Sequence, residues 1–198
     1  MTSAAFANPA HDAARAFRQM LEAVARPGRV FPFAPEIEPP SGLSRELAAV
    51  ALTLCDFQTP IWLSPALWTA DVERYLRFHT GAPLTKELAE TSYAFASAEH
   101  SLPDFSRLPK GTHEYPDRSA TLVIGVGALN EGQGIAELSG PGIKSPCKLD
   151  APSLGPMFWA DLMELRDDFP LGVDVILTAP GAIAAVPRST DIAIRLAT

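Results

Sequence analysis

The chain has 198 residues, 47% hydrophobic and 20% charged, with a formal net charge of −7. That is long enough to bury a full core and too apolar for a disordered protein. The acidic balance argues against non-specific nucleic-acid binding, which needs surplus cations to displace counterions. Cys55 and Cys147 are too few for a disulfide framework or a zinc site and read as free thiols. No apolar run approaches the roughly 20 residues that span a bilayer. The N-terminus lacks the basic start and apolar core of a signal peptide. The expectation is one cytoplasmic domain over residues 1–198.

In chain order, Asn8-Pro9 opens a helix over 9–25, with the Asn as cap and the Pro in the first turn. Phe17, Met20, Leu21 and Val24 recur along it at helical spacing, and Pro27-Gly28 stops it. Arg15, Arg18 and Arg26 lie on or near this helix and read as a solvated face rather than an anion site. Val30 to Phe33 reads as an edge strand. A second helix spans 44–55, with Leu43, Leu47, Val50, Ala51 and Leu54 on one face. Asp56 and Thr59 follow as turn residues that bond backbone groups. Ile61 to Leu63 is a short buried strand. Thr69 then caps a helix over 70–79, which Gly81 ends.

The end of that third helix, LRFHTGAPL, carries Arg77, His79 and Thr80, which can cap the last carbonyls or hold an anion. Ser92 to Ala98 alternates as a strand does. The β-rich run ATLVIGVGAL predicts a strand over 121–129, a turn at Asn130 to Gly134 and a returning strand over 135–138, together a hairpin. The loop SGPGIKS follows. Lys144 beside exposed backbone donors resembles a phosphate cradle, but the loop lacks the P-loop spacing and Pro141 removes a donor. A helix over 156–166, opened by Pro156, buries Phe158, Leu162 and Leu165. Asp191 to Leu196 reads as a final strand.

The clearest stretch is FPLGVDVILTAPGAIAAVPRST, from Phe169 to Thr190. Strands over 173–178 and 182–186 flank Pro180-Gly181 and predict an antiparallel hairpin with both faces covered. A regular register sets Asp174 opposite Pro187, with Ser189 as its diagonal partner. It puts Arg188 on the other face, opposite Val173, where Arg188 is a candidate for docking a partner. A one-residue bulge would instead bring Arg188 to Asp174. The whole pattern predicts an α/β domain around a mixed or mostly antiparallel sheet.

Motifs with direct chemistry are missing: there is no H-E-x-x-H, C-x-x-C or G-x-S-x-G. Lys86, Lys110, Lys144 and Lys148 all sit outside the apolar settings that depress a lysine pKa for Schiff-base work. His11, His79, His100 and His113 are too scattered to define a metal site. Cys55 reads as a buried helix-end thiol.

Six segments together resemble the PhnH subunit family of the carbon–phosphorus lyase system. They are FRQMLEAVARPG (17–28), LTLCDFQTPIWLS (52–64), LRFHTGAPL (76–84), LSGPGI (138–143), FPLGVDVILT (169–178) and VPRST (186–190). The resemblance implies an α/β three-layer sandwich with a mixed central sheet, like that of pyridoxal-phosphate-dependent transferases. It also implies a homodimer, assembly with G-, I- and J-type subunits, and a part in moving a phosphonate onto the ribose carbon of ATP with loss of adenine. No catalytic residue, cofactor or metal is carried over with it. The candidate partner or anion contacts are Arg77, His79, Lys144 and Arg188. The competing expectation is a nucleotide- or phosphate-binding transferase acting on its own.

Overall fold

The structure, a computed structural model, describes residues 5–100, 102–166 and 168–195; the expected strand end at Leu196 lies outside them. Helix α1 (Pro9–Ala25) starts where the Asn8 side chain accepts the His11 N–H and Pro9 needs no donor. Strand β1 (Phe31–Pro32) follows the Pro27-Gly28 break, and α2 (Arg45–Leu54) is capped by Ser44, whose hydroxyl accepts from Leu47 N at 3.1 Å. After β2 (Ile61–Leu63), α3 (Ala70–Thr80) is capped by Thr69 and closed by Gly81, which takes the left-handed conformation at φ +71°.

Strands β3 (Leu84–Thr85), β4 (Tyr93–Ser97) and β5 (Thr121–Gly125) come next, with short 3-10 turns between them, then β6 (Asn130–Ser139) and β7 (Cys147–Asp150). Helix α4 (Pro156–Glu164) precedes β8 (Asp174–Ala179), β9 (Ala182–Val186) and β10 (Asp191–Ile194).

Seven strands form one sheet in the order β1-β9-β8-β5-β4-β2-β3, in which β8, β5, β4, β2 and β3 run parallel and β9 and β1 complete an antiparallel edge. The protein is therefore mixed α/β, with a sheet more parallel than expected. The parallel strands are short apolar runs buried on both faces, as helix-covered sheets require. One face packs on α1, α2 and α3 through Leu47, Val50, Ile61, Phe95 and Ile176. The other packs on α4 and a second sheet, β10-β6-β7, through Leu122, Leu138, Leu149, Trp159 and Leu177.

The hairpin expected over 121–138 does not form. Strand β5 ends at Gly125 and pairs with β4 and β8, while β6 lies in the smaller sheet between β10 and β7. Residues Asn130 to Gly134 are not a turn but the first half of β6. Gly132 and Gly134, at φ +73° and +88°, sit in a register irregularity between Glu131 and Ala136. Glycines within a strand marked a bulge. Strands β3 and β7 were not expected at all, being only two and four residues long.

Helix α1 also departs from its expected face. Its apolar arc is wider than what the sheet covers. Ala16, Met20 and Ala23 are buried, whereas Phe17, Leu21 and Val24 remain 44, 49 and 42% exposed.

Candidate functional site

The β8–β9 hairpin forms in the expected register, with Ala179 opposite Ala182 and Val175 opposite Val186. Its extension does not. Pro187 has no N–H to continue the ladder, so the chain leaves the sheet and turns Arg188 back onto Asp174. Asp174 Oδ1 accepts the Arg188 backbone N–H at 2.8 Å and Nε at 3.3 Å, and Oδ2 accepts Nη2 at 2.7 Å. Nη1 donates to the Pro116 carbonyl at 2.6 Å. The expectation that set Arg188 opposite Val173 and gave Asp174 to Ser189 is thus corrected. The partner is Arg188 itself, in the arrangement a bulge was expected to produce. Nearby Arg166 donates to the carbonyls of Thr190, Leu162 and Pro187; its burial lowers its pKa to about 10, which leaves it charged at neutral pH.

Asp174 lies at the N-terminal ends of the parallel strands, in one row with Thr121 and Tyr93. An open, mainly apolar groove of about 180 Å³ runs over this row and is walled by Phe17, Met20, Leu21 and Val24 of α1. Burial, the proximity of the Cys55 thiol and Asp174 raise the Tyr93 phenol to about 12. Cys55 is buried at the end of α2, and desolvation pushes its thiol far above the ordinary range, which keeps it protonated. The Asp56–Thr59 turn beside it forms as expected, with Thr59 N donating to Asp56 O and Gln58 N to Asp56 Oδ1.

Arg77 and His79 occupy the last turn of α3. Arg77 pairs with Glu73 at 3.1 Å, and the His79 ring meets Tyr75 and Phe78 edge-on, with centroids 4.6 and 4.9 Å apart. Thr80 Oγ1 donates to Leu76 O and accepts from Ala82 N, so the capping role of this turn is realised.

Lys144 stands elsewhere, on the rim of an open depression of about 680 Å³ between the α1–β1 turn and the β6–β7 arm. Arg26, Arg29 and Lys148 line it as well, with Glu131 as its acid; Arg77, His79 and Arg188 do not. Two of the segments quoted for the family resemblance, ARPG and LSGPGI, meet here although more than a hundred residues separate them. Gly28 (φ +80°) and Gly142 (φ +82°) permit that approach: a Cβ on Gly28 would lie 2.7 Å from Cys147 Sγ, and one on Gly142 would run into the Ala25 carbonyl. Sequence reasoning set Arg26 aside and missed Arg29 and Lys148. The basic pair flanking Pro27-Gly28 was the available signal.

At the opposite end of the sheet, Ser97, Gly125 and Thr178 stand in register at the C-terminal ends of β4, β5 and β8. A cleft of about 320 Å³ opens there, the usual ligand position in open α/β sheets. Its buried carboxylate, Glu46 in the first turn of α2, accepts the Gly181 N–H at 2.9 Å and so fastens the β8–β9 turn. His100 and Glu99 line the same cleft, and neither was predicted.

Pyridoxal phosphate does not fit this chain. It would need a desolvated lysine, whereas Lys86 lies exposed 5.9 Å from the Trp68 ring, Lys110 pairs with Asp168 at 3.5 Å, and Lys144 and Lys148 line an open depression. Among the described residues no group of three His, Cys, Asp or Glu side chains is placed to hold a metal ion.

Comparison with known proteins covers almost the whole chain. The family profile described as "Bacterial phosphonate metabolism protein (PhnH)" matches residues 4–193. The chain is 42% identical over 191 residues to the alpha-D-ribose 1-methylphosphonate 5-triphosphate synthase subunit PhnH of Rhizobium meliloti (strain 1021), covering 96% of this chain and 94% of that protein. It is 34% identical over 182 residues to the putative C-P lyase subunit protein HtxG of Stutzerimonas stutzeri, covering 89% and 84%.

Proposed function

The chain belongs to the PhnH family of bacterial phosphonate metabolism proteins, and from that premise we propose that it is a subunit of the complex that makes alpha-D-ribose 1-methylphosphonate 5-triphosphate. Its partners are the other subunits of that complex, and its role is assembly and support rather than chemistry of its own. The relatives' names as subunits, over nearly their full lengths, support this.

The observation that carries the reading is the uncovered apolar face of α1. Ala10, Ala14, Phe17, Leu21 and Val24 are exposed at alternating spacings of four and three, the pattern of a helix seam that packs on another helix. Three of these are large side chains, and a contiguous patch of this kind marks an interaction surface. The occupant is another subunit, whose side chains fill the groove above Tyr93 and Asp174. Arg77, His79 and Arg188 are secondary candidates; of these Arg188 is already held by Asp174.

Among the described residues no helix is long and apolar enough to cross a membrane, and we place the chain in the cytoplasm on the family's role. The single domain, the likeness to the pyridoxal-phosphate-dependent transferase fold and the homodimer belong to the same reading. The seven-stranded mixed sheet, with packed layers on both faces, supports the first two; sedimentation velocity of the isolated chain reads the third.

Co-expression with the other subunits tests the seam. Phe17→Asp/Leu21→Asp should abolish co-purification while the isolated chain melts within a few degrees of the parent, because both side chains already face water. A double variant that co-purifies like the parent excludes the seam as the docking face.

A further inference from the structure

We propose that the depression between the α1–β1 turn and the β6–β7 arm binds a polyphosphate chain. Taking the subunit reading above, this is the 5-triphosphate carried by the ribosyl substrate and product of the complex.

The chain as a whole is acidic, at −7, yet Arg26, Arg29, Lys144 and Lys148 face one concave space against a single acid, Glu131. That acid is already engaged, accepting the Val30 N–H and lying 3.9 Å from Arg29 Nε. Arg26 pairs with Glu22 on its own helix. Lys144 and Lys148 have no ion-pair partner among the described residues. Like charges gathered in one place repel each other, and an anion among them removes the repulsion and gains charge-assisted hydrogen bonds.

Two close approaches force that gathering. Gly142 packs on the Ala25 carbonyl and Gly28 on Cys147, each in a left-handed conformation that disfavours side-chain-bearing residues. They tie the basic turn after α1 to the basic arm of the second sheet. The volume, about 680 Å³, is within the usual range for a small-molecule site, and the concave shape favours a compact multivalent anion over a flat protein surface. The N–H groups of Gly28, Arg29 and Ile143 already donate to Ala185 O, Arg26 O and Gly140 O. Recognition rests chiefly on the four cationic side chains, and it reads the phosphates rather than a base.

Titration calorimetry of the purified chain with sodium tripolyphosphate, ATP and ribose 5-phosphate tests this. Tripolyphosphate and ATP should both bind, ribose 5-phosphate far more weakly. Lys144→Ala/Lys148→Ala should weaken both by about tenfold or more, a loss of one or two charged contacts. Lys86→Ala, a distant exposed lysine, should change neither. Equal affinities assign the site to the triphosphate chain alone. Tighter ATP binding that is also lost in the double variant assigns it to a nucleoside triphosphate. No tripolyphosphate binding, or binding that the double variant keeps, overturns the proposal. Loss of co-purification in the double variant without tripolyphosphate binding by the parent also overturns it, and makes the patch a dock for an acidic protein. The subunit reading stands or falls separately, on the α1 seam variants.

Discussion

Arg188 closes on Asp174 from just beyond the end of its own strand, with Nη2 2.7 Å from Oδ2 and its backbone N–H 2.8 Å from Oδ1. The pair is mostly screened from water, the Arg side chain being 18% exposed, and Nη1 extends the link to the Pro116 carbonyl. One residue thus joins the start of β8, the end of β9 and the loop before β5.

Both partners should therefore matter to stability. Asp174→Ala leaves a mostly buried guanidinium with only the Pro116 carbonyl, and Arg188→Ala leaves a partly buried carboxylate with one backbone donor. Each should cost about 1–3 kcal/mol. In a chain of this size that lowers Tm by roughly 3–10 °C. The double variant should lose less than the sum of the singles. Thermal melts of the four proteins measure the coupling, and additive losses would show that the two residues act independently.

Gly142→Ala should be far more damaging than Gly42→Ala. Both glycines have positive φ, +82° and +92°, so each substitution carries a backbone penalty of about 1 kcal/mol. Only at Gly142 does the new methyl meet the Ala25 carbonyl; nothing lies within 4 Å at Gly42. Soluble yield and Tm of the two variants give the ranking, and equal losses would mean that the turns separate without cost.

Stability should fall in alkali, partly through Tyr93. Burial first, then the proximity of Cys55 and Asp174, raise its pKa from the model-compound value of 10.0 to about 12. Between those values the unfolded chain has released the proton and the folded chain retains it, so stability declines as pH rises. The contribution is complete below pH 10 and lost on passing 12. Tyr93→Phe should flatten this part of the profile, as denaturant titrations at pH 9 and 11 would show. An unchanged slope would assign the alkaline loss to other groups, Tyr75 included, whose burial also raises it to about 12.

The thiols should react in order. Cys147 is half-buried and its pKa raised, chiefly by desolvation, whereas Cys55 is buried and its thiolate strongly disfavoured. A thiol reagent at pH 8 should label Cys147 first and Cys55 only on unfolding. Mass spectrometry of partly labelled protein reads the order; early labelling of Cys55 would mean that the end of α2 opens in the native state.

Incubation with pyridoxal phosphate should give no aldimine absorbance, because none of the four lysines is buried. A band that disappears on replacing one lysine would reverse that statement.

Local chemistry was legible in the sequence wherever a few adjacent residues decide the outcome. Asn8 and Thr69 cap their helices because a short polar side chain reaches its own first turn. Gly81 stops α3 because it accepts positive φ, and the Pro180-Gly181 turn sets the β8–β9 register. What could not be read was how these elements pair. Strand β5 prefers β4 and β8 to its sequence neighbour because both its faces are apolar and only the middle of a covered sheet buries both. The candidate depression is equally non-local. Arg29 and Lys148 are unremarkable in sequence and share a site only because Gly28 and Gly142 let two distant loops touch. Likewise, the 3.6-residue period showed that α1 has an apolar side, but not how much of it the sheet covers. Periodicity records which residues avoid water, whereas exposure depends on the width of the surface placed against them; Phe17, Leu21 and Val24 lie beyond that width.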